Sequence, residues 1–239
     1  MIAPAIDVRG LDFRYPGGDL VLRGVTLAVP AGARCVLVGA NGAGKTTLLG
    51  ILAGKHLIPD GAAEVLGRPA FSDSSLGLHV TFVRASFPLH ADIAVSEMLA
   101  ARPDAHPERR RRLLDGLAID PAWRMSRVSD GQRRRVQLLV ALLAPRSVVL
   151  LDEVTSDLDV LARSELLAFL REDSEARGAT ILYATHVLDG IEDFATHVAW
   201  LDAGALKLMS PLADLEALRG TTLRRLVETW LRSVPRKRV

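Results

Sequence analysis

The sequence predicts a mixed α/β protein, a mixed β-sheet core with an N-terminal antiparallel β-subdomain and an inserted helical lobe, on three observations. Two short alternating apolar runs open the chain around Pro16-Gly17-Gly18-Asp19. Continuous apolar runs of strand length then alternate with segments of helical spacing, and strand patterning stops over residues 93–127. At 239 residues, 49% of them apolar and 24% charged, the chain can bury the core of one domain.

In chain order, residues 6–15 and 21–29 read as strand, turn and strand, a β-hairpin. Residues 34–38 form an apolar strand ending in a glycine-rich loop, and 45–53 have helical spacing closed by Gly54. Further strands are expected at 63–66, 79–83, 147–151, 180–184, 198–201 and 205–208, and helices near 132–143 and 160–172. Within 93–127, Pro103, Pro107 and Pro121 punctuate helical segments such as 108–117. The main domain is expected over 1–210, and 211–239 as a C-terminal helical extension with a basic tail. From 212 to 234, Leu215, Leu218, Leu223, Leu226, Val227, Trp230 and Leu231 recur at roughly helical spacing among Arg224, Arg225 and Arg232. Packing on the core or on a second subunit is the plainer reading of that stretch, and a docking helix for a partner is the other.

Thirty basic residues against 28 acidic ones leave a net charge of +2, too small to argue for nucleic acid, and no direct nucleic-acid binding is expected. Arg109 to Arg112 precede Leu113, Leu114 and Leu117 and read as the solvated first turns of an amphipathic helix. The ending Arg236-Lys237-Arg238-Val239 reads as a solubilising tail. A lone cysteine, Cys35, excludes an internal disulfide and reads as a small buried thiol. No charged leader with an apolar stretch opens the chain, and the longest apolar region, 136–151, is broken by Gln137, Pro145, Arg146 and Ser147. A cytoplasmic location is the expectation.

Gly39-Ala40-Asn41-Gly42-Ala43-Gly44-Lys45-Thr46 fits the phosphate-binding loop (Walker A) pattern completely, between an apolar strand and a helix. The glycines let backbone N–H groups turn inward around the β- and γ-phosphates. The helix N-terminus adds partial positive charge, Lys45 a full one, and Thr46 can ligate Mg²⁺. The candidate nucleotide-binding set is Gly39, Asn41, Gly42, Ala43, Gly44, Lys45, Thr46 and Thr47. The loop by itself indicates a nucleoside triphosphate, not a family of enzyme.

Val148-Val149-Leu150-Leu151-Asp152-Glu153 is a buried strand (Walker B) delivering two carboxylates at its end. Asp152 is the candidate holder of Mg²⁺ through water, and Glu153 the candidate general base for the water that attacks the γ-phosphate. An acidic N-cap for the following helix is the plainer alternative.

Val128-Ser129-Asp130-Gly131-Gln132-Arg133-Arg134-Arg135 resembles the signature motif of ABC ATPases, ordinarily leucine-serine-glycine-glycine-glutamine, and precedes the carboxylate strand at that family's interval. The resemblance implies an α/β P-loop NTPase of ABC type in which Ser129, Gly131 and Gln132 reach the γ-phosphate held by an opposite subunit, hence a head-to-tail homodimer around two ATP. It also implies that Tyr15 stacks on adenine, that Ser156-Asp157-Leu158-Asp159 is the D-loop at the dimer seam, and that His186 is the switch histidine at the γ-phosphate. Glu153, His186 and Lys45 are then the catalytic set, Thr46 and Asp152 the metal set, and ATP with Mg²⁺ the ligands.

Two positions depart from the family pattern. The Q-loop glutamine is absent, since the chain's only glutamines are Gln132 and Gln137; Arg84 takes the equivalent place, and an arginine cannot ligate Mg²⁺, though it can contact a phosphate or hold the loop. Asp130 replaces the first signature glycine and is expected to turn aside, at the positive end of its helix. The stretch 128–197 most resembles a stand-alone ABC group whose eukaryotic members lack a membrane domain and are tied to transcription-regulatory and mRNA-deadenylase assemblies. The resemblance implies a soluble ATPase acting on a soluble protein partner. The alternatives are the ATP-binding subunit of a membrane ABC transporter and a nucleotide-binding switch without turnover.

Overall fold

The opening runs form the expected hairpin, β1 (Pro4–Arg14) and β2 (Leu20–Pro30), paired antiparallel from Pro4 opposite Pro30 to Arg14 opposite Leu20. Ile6, Val8, Leu11, Leu22, Val25, Leu27 and Val29 bury the inner face, as the alternation requires. The computed structural model describes residues 3–84, 92–102, 106–219 and 221–233; Pro103, Val234 and the basic ending Arg236-Lys237-Arg238-Val239 lie outside them. After the hairpin come β3 (Arg34–Val38), α1 (Lys45–Leu52), β4 (Ala63–Val65), β5 (Arg68–Pro69), a 3₁₀ turn (Ser74–Leu78), β6 (Val80–Val83), α2 (Val95–Ala100), α3 (Pro107–Gly116) and α4 (Asp130–Leu142). The chain continues through β7 (Val148–Asp152), α5 (Val160–Arg177), β8 (Thr180–Ala184), α6 (Ile191–Phe194), β9 (His197–Asp202), β10 (Ala205–Pro211), α7 (Leu212–Arg219) and α8 (Leu223–Ser233).

The hairpin belongs to a four-stranded sheet of order β2-β1-β4-β5, and the remaining strands form a six-stranded sheet of order β10-β9-β3-β8-β7-β6. In the larger sheet every neighbouring pair is parallel except β9 with β10. Its central strands β3, β7 and β8 read as nearly unbroken apolar runs because both faces are covered. On β3, Val36 and Val38 join the core shared with α4, α5 and α8, whereas Cys35 and Leu37 join the core shared with α1 and the hairpin. The phosphate-loop strand thus lies at the centre, and the ends of β3, β7 and β8 open on one edge.

Several expectations are corrected. β4 stops before Leu66 because Leu66 and Gly67 take φ of 54° and 70° and turn the chain. α5 runs on to Arg177, where Gly178 at φ 69° ends it. The C-terminal helical extension consists of two helices, α7 and α8. The short β5, the 3₁₀ turn and α6 gave no periodic signal. Arg109 is not a solvated residue: it donates Nε to the Leu142 carbonyl at 2.6 Å, pairs with Asp173, and lies 4.9 Å above the Phe169 ring. Arg110 donates to the Leu99 and Arg102 carbonyls, so of the cluster only Arg111 and Arg112 keep their charges largely in solvent. Among the described residues no helix is long and apolar enough to cross a membrane.

Candidate functional site

The loop between β3 and α1 has room only for glycine at two positions. A Cβ on Gly39 would stand 2.2 Å from the Leu201 carbonyl oxygen, and one on Gly44, at φ 103°, would meet Leu22 at 2.7 Å. Gly44 caps α1 without a side-chain hydrogen bond, so the helix's first N–H groups keep the positive end of its dipole directed into the loop. The Lys45 side chain folds back over that loop, donating Nζ to the Gly39 carbonyl at 2.8 Å and the Ala40 carbonyl at 3.2 Å. Burial lowers the Lys45 pKa from its ordinary range, against the pull of Glu153 and Asp152. An anion in the loop would supply the counter-charge that two carbonyls lack.

β7 ends beside this loop. The Thr46 hydroxyl donates to Asp152 Oδ1 at 3.1 Å, and burial raises the Asp152 pKa against that bond. Two hard oxygen donors converge there, a hydroxyl and a buried carboxylate, and this donor set fits Mg²⁺ completed by phosphate and water oxygens. Glu153 adopts φ 53°, a left-handed conformation uncommon for a side chain of this size, with its N–H donating to the Ala184 carbonyl at 2.9 Å. The turn places the Glu153 carboxylate with one oxygen 2.7 Å from His186 Nδ1 and the other 3.9 Å from Lys45 Nζ. Lys45, Thr46, Asp152, Glu153 and His186 are therefore assembled around one point from the ends of β3, β7 and β8.

Tyr15 flanks the same loop. Its ring is 40% exposed, its hydroxyl is 3.1 Å from Thr47 Oγ1, and Phe13 and His56 meet it edge-on at 5.2 and 5.3 Å. Asn41 and Gly42 are exposed at the loop's tip, and Ala43 is buried behind it. Ser129, Gly131 and Gln132 lie at the start of α4. Ser129 Oγ accepts the Gln132 N–H at 3.2 Å while Gln132 Oε1 accepts the Ser129 N–H at 2.9 Å, a reciprocal capping box. A Cβ on Gly131 would be 3.1 Å from the Asp157 carbonyl oxygen, so the glycine lets α4 approach the segment 156–159. Asp130 is the first residue of α4, at the positive end of its dipole.

Sequence reasoning missed two residues. Gln137, on the second turn of α4, lines a cleft of about 520 Å³ with Thr46, Tyr15, His56, Phe82 and Arg84, so a glutamine shares the cleft with Thr46 although none directly follows β6. His56 carried no motif signal, yet it braces Tyr15.

The family described as ABC transporter matches residues 22–156 of the chain. ABC transporter I family member 21 of Arabidopsis thaliana is 46% identical over 243 residues, 96% of this chain and 86% of that protein. CCR4-associated factor 16 of Saccharomyces cerevisiae is 40% identical over 222 residues, 84% of this chain and 77% of that protein. Among solved structures, the ATP binding subunit of an ABC transporter superposes with a TM-score of 0.82 at 25% identity, covering 96% of this chain and all of that one.

Proposed function

The chain belongs to the ABC transporter family of ATP-binding domains, and from that premise we propose that it is a soluble ATPase that closes head-to-tail on a second copy around two ATP and works on a protein partner. The observation that carries the reading is the convergence of Lys45, Thr46, Asp152, Glu153 and His186 at one edge of the sheet. Lys45 exchanges its two loop carbonyls for the β- and γ-phosphates. Glu153 takes a proton from the water that attacks the γ-phosphorus, and the bond to the ADP oxygen breaks as the new P–O bond forms. Thr46 and Asp152 would hold Mg²⁺, which when bound offsets the charge of the phosphates. His186 holds the Glu153 carboxylate in place until the γ-phosphate competes for the imidazole. Ser129, Gly131 and Gln132, at the start of α4, are offered to the nucleotide of the second copy, while the half-exposed Tyr15 ring takes adenine.

Steady-state ATPase activity with Mg²⁺, and sizing of Glu153→Gln with and without ATP, test this together. The expected outcome is turnover by the wild type, a loss of about a thousandfold or more in the variant, and an ATP-dependent dimer of the variant. An unchanged rate in Glu153→Gln removes the catalytic assignment. Lys45→Ala should lose most ATP affinity in a fluorescent-nucleotide titration. The structural likeness to an ATP binding subunit of an ABC transporter supports a second reading, such a subunit. Co-purification with an integral membrane protein favours it, and activity of the purified chain alone counts against it.

A further inference from the structure

Arg134, on the first turns of α4, has a side chain only 4% exposed. Its Nη1 donates to the Arg84 carbonyl oxygen at 2.7 Å and to Gln137 Oε1, and its Nη2 lies 3.2 Å from Asp157 Oδ2. Gln137 Nε2 donates to the same Arg84 carbonyl at 2.9 Å. One carbonyl just past β6 thus takes two donors from α4, and the same guanidinium reaches the loop after β7. The Arg84 side chain lines the cleft that holds Thr46, while Asp157 lies on the segment packed against Gly131.

We propose that Arg134 is a positioning residue that carries the occupancy of the chain's own nucleotide site, through the Arg84 backbone, to the segment 155–159. The inference rests on the reading of the chain as an ATP-driven dimer. A guanidinium presents its donors in a fixed planar fork, so it can hold two partners on different elements at once, which an ammonium on a flexible stem does poorly. Arg134 is buried and doubly tied on the Arg84 side, whereas the Asp157 side chain is 55% exposed. A shift of the Arg84 backbone when phosphate fills the cleft therefore moves the guanidinium, and Asp157 is the partner free to follow. Signature helix and D-loop are reset as one piece, and the surface offered to the second copy reports whether the first site is full.

The test compares wild type, Arg134→Met, Arg134→Lys and Asp157→Ala by hydrogen exchange, with and without a non-hydrolysable ATP analogue, at a concentration where sizing shows monomer. In wild type the analogue alters exchange at both 80–84 and 155–159. In Arg134→Met and Asp157→Ala the response at 80–84 and the affinity for the analogue persist, and the response at 155–159 is lost; Arg134→Lys behaves as Arg134→Met. Turnover should follow, with kcat down on the order of tenfold and KM for ATP unchanged in both substitutions. A response at 155–159 that survives in Asp157→Ala, or that is missing from wild type which binds the analogue, overturns the inference alone. Wild type that binds no analogue overturns the proposed function and this inference with it. If Arg134→Met does not fold, Asp157→Ala, altered at a half-exposed position, decides the matter.

Discussion

A methyl group on Gly39 would lie 2.2 Å from a backbone oxygen of β9, which no side-chain rotation relieves. Gly42, at φ 79° with open space around it, would face only the backbone strain of an L residue. Gly39→Ala should therefore lower stability by about 3 kcal/mol or more and Gly42→Ala by about 1 kcal/mol, read from urea unfolding of the nucleotide-free protein. Both glycines were legible because the loop's requirement is local: successive N–H groups can turn inward only where no Cβ obstructs them. The Glu153 conformation was not legible, since its positive φ follows from the bond to Ala184 on a strand distant in sequence. Gln137 was likewise hidden, because its identity says nothing about which face of α4 meets β6.

At the scale of elements, α3 is locked to α5 by charge as well as by apolar contact. Burial by itself would raise the Asp173 pKa, but the bonds from Arg177 and Arg109 outweigh it and hold the carboxyl below the usual carboxylate range. A depressed carboxyl contributes stability that is fully present above its unfolded pKa and is lost as pH falls through the folded one. Asp173→Asn should thus cost about 2 kcal/mol near neutral pH. The gap in midpoint between wild type and variant should stay constant from about pH 8 to about pH 5 and narrow below about pH 4. A gap that persists undiminished in acid would mean that packing, not the ion pairs, sets the cost. The run of arginines read as a solvated face because periodicity locates a helix and its apolar stripe but not the carboxylate that the next helix brings to its flank. The strand elements were more legible: burial on both faces leaves an apolar run that needs no partner to be recognised.

At the scale of the whole molecule, the C-terminal helices close the layer that α4 and α5 begin. Leu223, Leu226 and Val227 are buried in the same core as Val36 and Val38 of the phosphate-loop strand, and Trp230 stacks on Trp200 of β9 at 5.1 Å. Arg224 pairs with Asp189, just past the His186 loop. Leu226→Ala should cost about 2–4 kcal/mol in thermal or urea unfolding, as a core truncation does, whereas Leu231→Ala, at a position 37% exposed, should cost less than about 1 kcal/mol. Equal and small effects would return α8 to the role of a detached docking arm. By itself the sequence determined the family, the hairpin, every strand along the chain but β5, and the residues of the phosphate loop and carboxylate strand, because each is written in contiguous residues whose chemistry is local. Only the tertiary structure decided that Glu153 meets His186, that Arg134 and Gln137 grip the backbone at Arg84, and that the last helix belongs to the core. These depend on which element ends share an edge of the sheet and which helix faces pack beneath it, and that is set by the packing of the whole chain at once.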